Sequence, residues 1–231
     1  MNTVLALLPE LTDVNGDAQN ALVLVRRAQW AGREAAVEQL HLGDRPSSTP
    51  LAVVLGSTTD PTLPRLLDAL SGLRSQLVDW VAAGVPLIAV GTGLEALTRG
   101  IGLAGGRVDG LGLVAAEAAP LGTRATGDLV VRSAEGDLVG YENHSRGLIL
   151  DAGVTPLGTV QRGVGDGGGI DGVRHGSIIG TRLHGPVLAK NPALADAVLS
   201  AAFGEPITPL GDEAEAADAA AARIRSALLA G

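Results

Sequence analysis

The sequence predicts an α/β fold, a mostly parallel sheet doubly wound by helices on both faces. Two observations carry this. Over the first hundred residues, short apolar runs alternate with segments of helical period, the mark of βαβ units. Only Trp30, Trp80, Tyr141 and Phe203 are aromatic among 231 residues, so the core must be Ala, Val, Leu and Ile. Such small side chains suit a parallel sheet covered by helices.

The elements follow in order. Thr3–Leu8 is an apolar run closed by Pro9 and reads as a buried strand. Asp13-Val-Asn-Gly-Asp17 is a polar turn that caps a helix from about Ala18 to Ala31, stopped by Gly32. Ala35–Leu40 is a second strand and Arg45–Pro50 a loop. Leu51–Leu55 is a third strand, followed by the turn Gly56–Asp60. Pro64–Ala83 reads as one helix through Leu66, Leu70, Leu73, Leu77 and Trp80, ended by Gly84. Pro86–Val90 is a fourth strand, and Gly91-Thr92-Gly93 turns sharply into a helix near Leu94–Arg99.

Beyond Gly100 the texture changes. Gly-rich punctuation separates the β-like runs Leu111–Val114, Asp128–Arg132, Leu148–Leu150 and Ser177–Leu183, expected on one shared sheet. Glu142–Gly147 reads as a polar turn and Gly163–Gly172 as a mobile loop. Pro192–Phe203 is a helix. Gly211–Gly231 is Ala-rich, acidic first and basic later, a charge order that suits a terminal helix.

Composition excludes several functions. A net charge of −8 argues against nucleic-acid binding, which leaves a basic footprint. The absence of cysteine removes disulfides, zinc–thiolate sites, iron–sulfur clusters and every cysteine nucleophile. No cofactor or metal is expected. The longest apolar runs, such as Val85–Val90, fall far short of the roughly 20 residues of a membrane span. The N-terminus lacks the basic region of a signal peptide, so a cytoplasmic location is expected.

Three motifs bear on chemistry. Gly100–Gly112 invites a phosphate-loop reading, but lacks the lysine and the strand-then-helix context. Glycine-supplied turns explain it better. Pro86–Glu95, a buried strand entering a tight turn and a helix, has the pattern of a nucleophile elbow and equally of an ordinary glycine turn. Its tip should be Cys or Ser, but is Gly91. Thr92 bears the nearest hydroxyl, one place off and stiffened by β-branching. His184 closes a strand just before Gly185-Pro186, a position suited to a general base or to a structural hydrogen bond.

Taken together, residues 1–204 resemble the glutaminase subunits of lipid II isoglutaminyl synthases. These belong to the cobyric-acid-synthase-type class I glutamine amidotransferases. The resemblance lies in Gly16-Asp17-x-x-Asn20, Arg26-Arg27-Ala28, Gly56–Asp60, Pro86–Leu97, Gly110–Leu113, Arg124-x-x-Gly127-Asp128, Gly140–Gly147 and Gly180–Asp196. It implies a flavodoxin-like sheet over residues 1–204, with 205–231 as a helical extension. It also implies glutamine hydrolysis by an elbow Cys with a His base, and ammonia passed to a Mur-ligase-like ATP-dependent partner in a heterodimer. Carried over by position, His184 is the base, Arg124 the substrate-binding arginine, and Thr92, Gly56 and Ser57 the elbow and oxyanion region.

The departures cluster at the site. The family's elbow runs Cys-Gly-Gly-aromatic-Gln, where this chain has Gly91-Thr92-Gly93-Leu94-Glu95. The Gly-rich turn is Gly56-Ser57-Thr58-Thr59-Asp60, and a Tyr-like residue before Leu-His is Arg182. The expectation is therefore a glutaminase-silent scaffold retained as a structural or regulatory partner. The alternatives are a small-ligand site of altered chemistry using His184 and Arg124 with Glu95 or Asp128, glutamine or a related molecule being the candidate ligand, and a subunit of a cobalamin-type amidation system.

Overall fold

The computed structural model describes residues 1–230; Gly231, the last residue of the expected terminal helix, lies outside them. Among the described residues no helix is long and apolar enough to cross a membrane.

The first sheet contains β1 (Asn2–Leu7), β2 (Ala35–Leu40), β3 (Ala52–Leu55), β4 (Leu87–Val90), β11 (Val173–His175) and β12 (Ile178–Thr181). Its order is β11-β12-β4-β3-β1-β2, parallel throughout except for β11. Period-two alternation sorts its residues between two cores. Leu5, Leu7, Val53, Leu55, Leu87 and Ala89 face one side, where α3 (Leu63–Ser71) and α4 (Arg74–Ala82) pack. Val4, Ala6, Val54, Ile88 and Val90 face the other, against α2 (Gln19–Trp30), α6 (Val187–Lys190) and α7 (Pro192–Phe203). This is the expected doubly wound sheet.

Local chemistry shifts some boundaries. The first strand ends at Leu7, because Leu8 takes a left-handed conformation (φ 51°) and leads into the short helix α1 (Pro9–Thr12). The single helix expected over 64–83 is broken between α3 and α4. Gly72 is a poor helix former, and the Leu73 N–H bonds to the Leu70 carbonyl three residues back, tightening the chain there. Leu70, Leu73 and Leu77 stay buried through the break, which is why the apolar period hides it.

The second sheet holds β5 (Gly100–Leu103), β6 (Gly106–Asp109), β7 (Ala116–Ser133), β8 (Gly136–Leu150), β9 (Gly158–Arg162) and β10 (Ile170–Asp171). Here four expectations are corrected. Leu111–Val114 is not a strand. The N–H groups of Leu111, Gly112, Leu113 and Val114 turn back to carbonyls of Ala96, Leu97 and Thr98, satisfying the end of α5 (Thr92–Leu97). Glu142–Gly147 is not a turn but the middle of β8, paired across to β7. The shared sheet also fails for Ser177–Leu183, whose strand β12 pairs in parallel with β4 in the first sheet. Finally, Gly163–Gly172 is pinned rather than loose. Its buried Asp166 accepts bonds from the Leu148 and Gly172 N–H groups, and Ile170–Asp171 forms β10.

The terminal helix α8 (Asp212–Ala230) docks on α2. Arg27 links Asp218 at 2.6 Å and Asp196 at 2.6 and 2.7 Å, and the Trp30 Nε1–H donates to Glu213.

Candidate functional site

The strands β1, β3, β4 and β12 all end on one edge, and the chain reverses its direction of winding between β1 and β3. In an open α/β sheet ligands bind in the crevice at that point. There the segment after β1 brings Asn15 and Asp17, the turn after β3 brings Ser57–Asp60, the turn after β4 brings Gly91 and Thr92, and the end of β12 brings Arg182 and His184. Asn15, Ser57–Asp60, Gly91, Thr92 and His184 line a pocket of about 280 Å³, closed on its other side by Arg124 of β7 and Asn143, His144 and Arg146 of β8, while Asp17 and Arg182 lie outside its lining.

Gly91 sits at the elbow with φ 55° and ψ −122°, a conformation that disfavours any Cβ. A Cβ built there would stand 2.6 Å from His184 Cε1 and 3.1 Å from Ser57 Cβ. The imidazole edge thus lies where a nucleophile side chain would begin. Gly56 is required for a different reason: a Cβ on it would lie 2.2 Å from the Thr12 carbonyl oxygen. It packs behind the pocket, whereas Gly91, Thr92, Ser57, Arg124 and His184 all line it.

Hydrogen bonds immobilise this corner. The Ser57 N–H donates to Asp17 Oδ2 at 3.0 Å, and the Ser57 hydroxyl lies against the same oxygen. Asn15 Nδ2 is 2.9 Å from Ser57 Oγ and 3.2 Å from His184 Nδ1. Thr92 Oγ1 donates to the Thr58 carbonyl at 2.9 Å and accepts from the Thr58 N–H. The hydroxyl of Thr92 is thereby spent on the neighbouring turn. Arg124 is exposed, its Nε donating to Asn143 Oδ1 at 2.8 Å.

From the pocket wall runs a chain of charges, buried beyond Asp60. Arg146 donates to both Asp60 oxygens at 2.6 and 2.9 Å and to Glu95 Oε2 at 2.7 Å. Arg182, wholly buried, reaches Glu95 Oε1 at 2.6 Å and Asp166 Oδ1 at 2.7 Å. Glu95 and Arg182, two positions where the resemblance leads one to expect other residues, are therefore partners. The Arg146 guanidinium holds Asp60 below the usual carboxylate range. Burial, which opposes the charge on Arg182, is outweighed by Asp166 and Glu95 and its pKa is raised. Beside them burial, then the neighbouring Asp166, pushes Asp171 up to about 7.

On β8 the buried Glu142 accepts from the N–H groups of Val164 and Gly165 and lies 3.2 Å from His144 Nε2. Burial works to raise its pKa, but these bonds outweigh it and the carboxyl is held below its ordinary range. The sequence placed His144 in a turn and so missed its alternation with Glu142 and Arg146, three inward positions of one strand. Asp128 is exposed and outside the pocket lining, unlike Glu95. Asn15 carries no signal of a site role beyond its place in a polar turn, whereas Asp17, within Gly16-Asp17-x-x-Asn20, and Thr58, within Gly56–Asp60, fall in motifs of the resemblance.

Comparison with known proteins accords with this architecture. The chain is 26% identical over 221 residues, 92% of its length and 91% of the relative's, to the lipid II isoglutaminyl synthase (glutamine-hydrolyzing) subunit GatD of Staphylococcus aureus. It is 25% identical over 204 residues to the GatD subunit of Streptococcus pneumoniae, covering 85% and 78% of the two chains. Among solved structures, a glutamine amidotransferase from Thermotoga maritima shares the fold at a TM-score of 0.57 and 14% identity, over 98% of this chain and 93% of that one. PurLQS from the same organism gives 0.57 at 13% identity, over 88% and 96%. Residues 7–192 match the CobB/CobQ-like glutamine amidotransferase domain, and with that span covering most of the sequence the chain belongs to the CobB/CobQ-like glutamine amidotransferase family.

Proposed function

We propose that this chain is a glutaminase-silent amidotransferase-like subunit, which docks on a Mur-ligase-like ATP-dependent subunit that amidates the D-glutamate of lipid II. The observation that carries the silence is Gly91 at the elbow, with the His184 ring in the space a thiol would need. Two further features support it. The Ser57 N–H group, in the expected oxyanion region, is given to Asp17. An oxyanion site needs donors free for the transition state. Thr92 is unsuited as a substitute nucleophile, because its hydroxyl bonds the Thr58 turn and, among the described residues, makes no hydrogen bond to a base. The peptidoglycan assignment rests on the two GatD relatives, each a subunit by name.

The test is glutamate release from glutamine by the purified chain, alone and with its ligase partner. Background rates in both, with stable co-purification of the two subunits, are expected. Turnover abolished by His184→Ala would overturn the silence. A second reading, a small-ligand site of altered chemistry, is favoured by the retained pocket with both His184 and Arg124 on its wall.

A further inference from the structure

We propose that the pocket is a binding site for a small dicarboxylate, with His184 as a hydrogen-bond donor at one end and Arg124 at the other. The inference deepens the reading of a non-hydrolytic site and rests on it.

Proton bookkeeping around Asn15 fixes the role of His184. Ser57 has one hydroxyl proton, and its Oγ lies against Asp17 Oδ2, an acceptor. The Ser57 oxygen must then accept from Asn15, so the Asn15 atom 2.9 Å away is the amide nitrogen. That nitrogen also stands 3.2 Å from His184 Nδ1, which must accept in turn. Asp17 Oδ2 is 3.6 Å from the same ring nitrogen, beyond hydrogen-bonding distance. A neutral imidazole whose Nδ1 accepts carries its proton on Nε2. A general base at the elbow would need Nε2 unprotonated. Here Nε2 is a donor instead, over Gly91, and only the missing Cβ leaves it open: a Cβ would stand 3.2 Å away.

The rest of the pocket is matched to acidic groups. Arg124 spends Nε on Asn143 and keeps the outer edge of its guanidinium, which pairs with carboxylates in a fork. Thr58, which lines the pocket, has a buried Oγ1 with no partner among the described residues. The pocket's own carboxylates, Asp60 and Glu95, are engaged in ion pairs with Arg146 and Arg182, the latter shared with Asp166, and so do not occupy Arg124. At about 280 Å³ the space lies below the ~300–1,000 Å³ of drug-sized sites and suits a small metabolite.

The experiment uses the full chain at pH 8. Ring-nitrogen NMR of histidine-labelled protein, assigned with His184→Gln, should show a protonated Nε2 and an unprotonated Nδ1 at His184. Calorimetric titration should show glutarate binding at least tenfold tighter than its monoamide. Arg124→Ala should weaken glutarate tenfold or more. Asn15→Asp, which replaces the donor with an acceptor, should invert the tautomer and weaken glutarate similarly. A proton on Nδ1 in the unaltered protein, equal or tighter binding of the monoamide, or no heat with millimolar glutarate would each overturn the proposal. All these readouts are separate from glutamine turnover, which alone tests the silence of the site.

Discussion

The body of the parallel sheet and the seam at its carboxyl edge are built on opposite principles. In the body, β1, β3 and β4 bury aliphatic side chains on both faces, and nearly any residue there meets others of its kind. At the seam, Asp60, Arg146, Glu95, Arg182 and Asp166 form a run of charges, four of them buried. Dispersion and the hydrophobic effect are non-directional, so the body degrades gradually when altered. A buried charge is tolerated only with its partner, so the seam should fail abruptly when one member is lost.

The largest break in this contrast is Arg182→Met, which strips Glu95 and Asp166 of a shared cation. A loss of about 3–5 kcal/mol is expected in urea unfolding. Adding Glu95→Gln should recover much of it, and simple additivity of the two changes would refute their coupling.

The next is a pH effect. Asp171 has its folded pKa raised to about 7 by burial and Asp166. Between roughly pH 4, the ordinary aspartate value, and pH 7 the folded state binds the extra proton, so stability falls as pH rises through that window. Glu142 and Asp60 are shifted downward and act oppositely, losing stability as pH drops below about 4. Melting temperature against pH should therefore decline from the mildly acidic side to neutrality. Asp171→Asn should flatten that limb and leave the acid limb intact.

Gly91→Cys should cost about 1–3 kcal/mol, because a side chain at φ 55° is strained and must displace the His184 ring. Thermal melting measures the cost, and glutamate release should stay at background. A stabilised variant would show that the ring leaves freely. The smallest effect belongs to the body: Ile88→Val, wholly buried, should cost about 0.5–1.5 kcal/mol by the same urea assay.

Much of the body was legible because its physics is local. Short apolar runs name a buried strand whatever it pairs with, and Ala35–Leu40 and Pro192–Phe203 were bounded to the residue. The second sheet was misread where polar residues are buried. Glu142, His144 and Arg146 alternate as a strand should, yet their polarity imitates a turn, since the partners of Glu142 and Arg146 lie far off in sequence at Val164, Asp60 and Glu95, and His144 bonds between the two. Leu111–Val114 misled in the converse way, as an apolar run whose N–H groups serve a helix end and not a ladder.

The sequence by itself determined the doubly wound sheet, the glycine at the elbow tip and the histidine at the end of a later strand. Each follows from residue type and short-range order. Only the tertiary structure decided that Glu95 and Arg182 answer one another, that the imidazole fills the space above Gly91, and that Asn15 sets which ring nitrogen accepts. Those are matters of distance between segments 87 or more residues apart in the chain, where hydrogen-bond geometry, and no local propensity, assigns the partners.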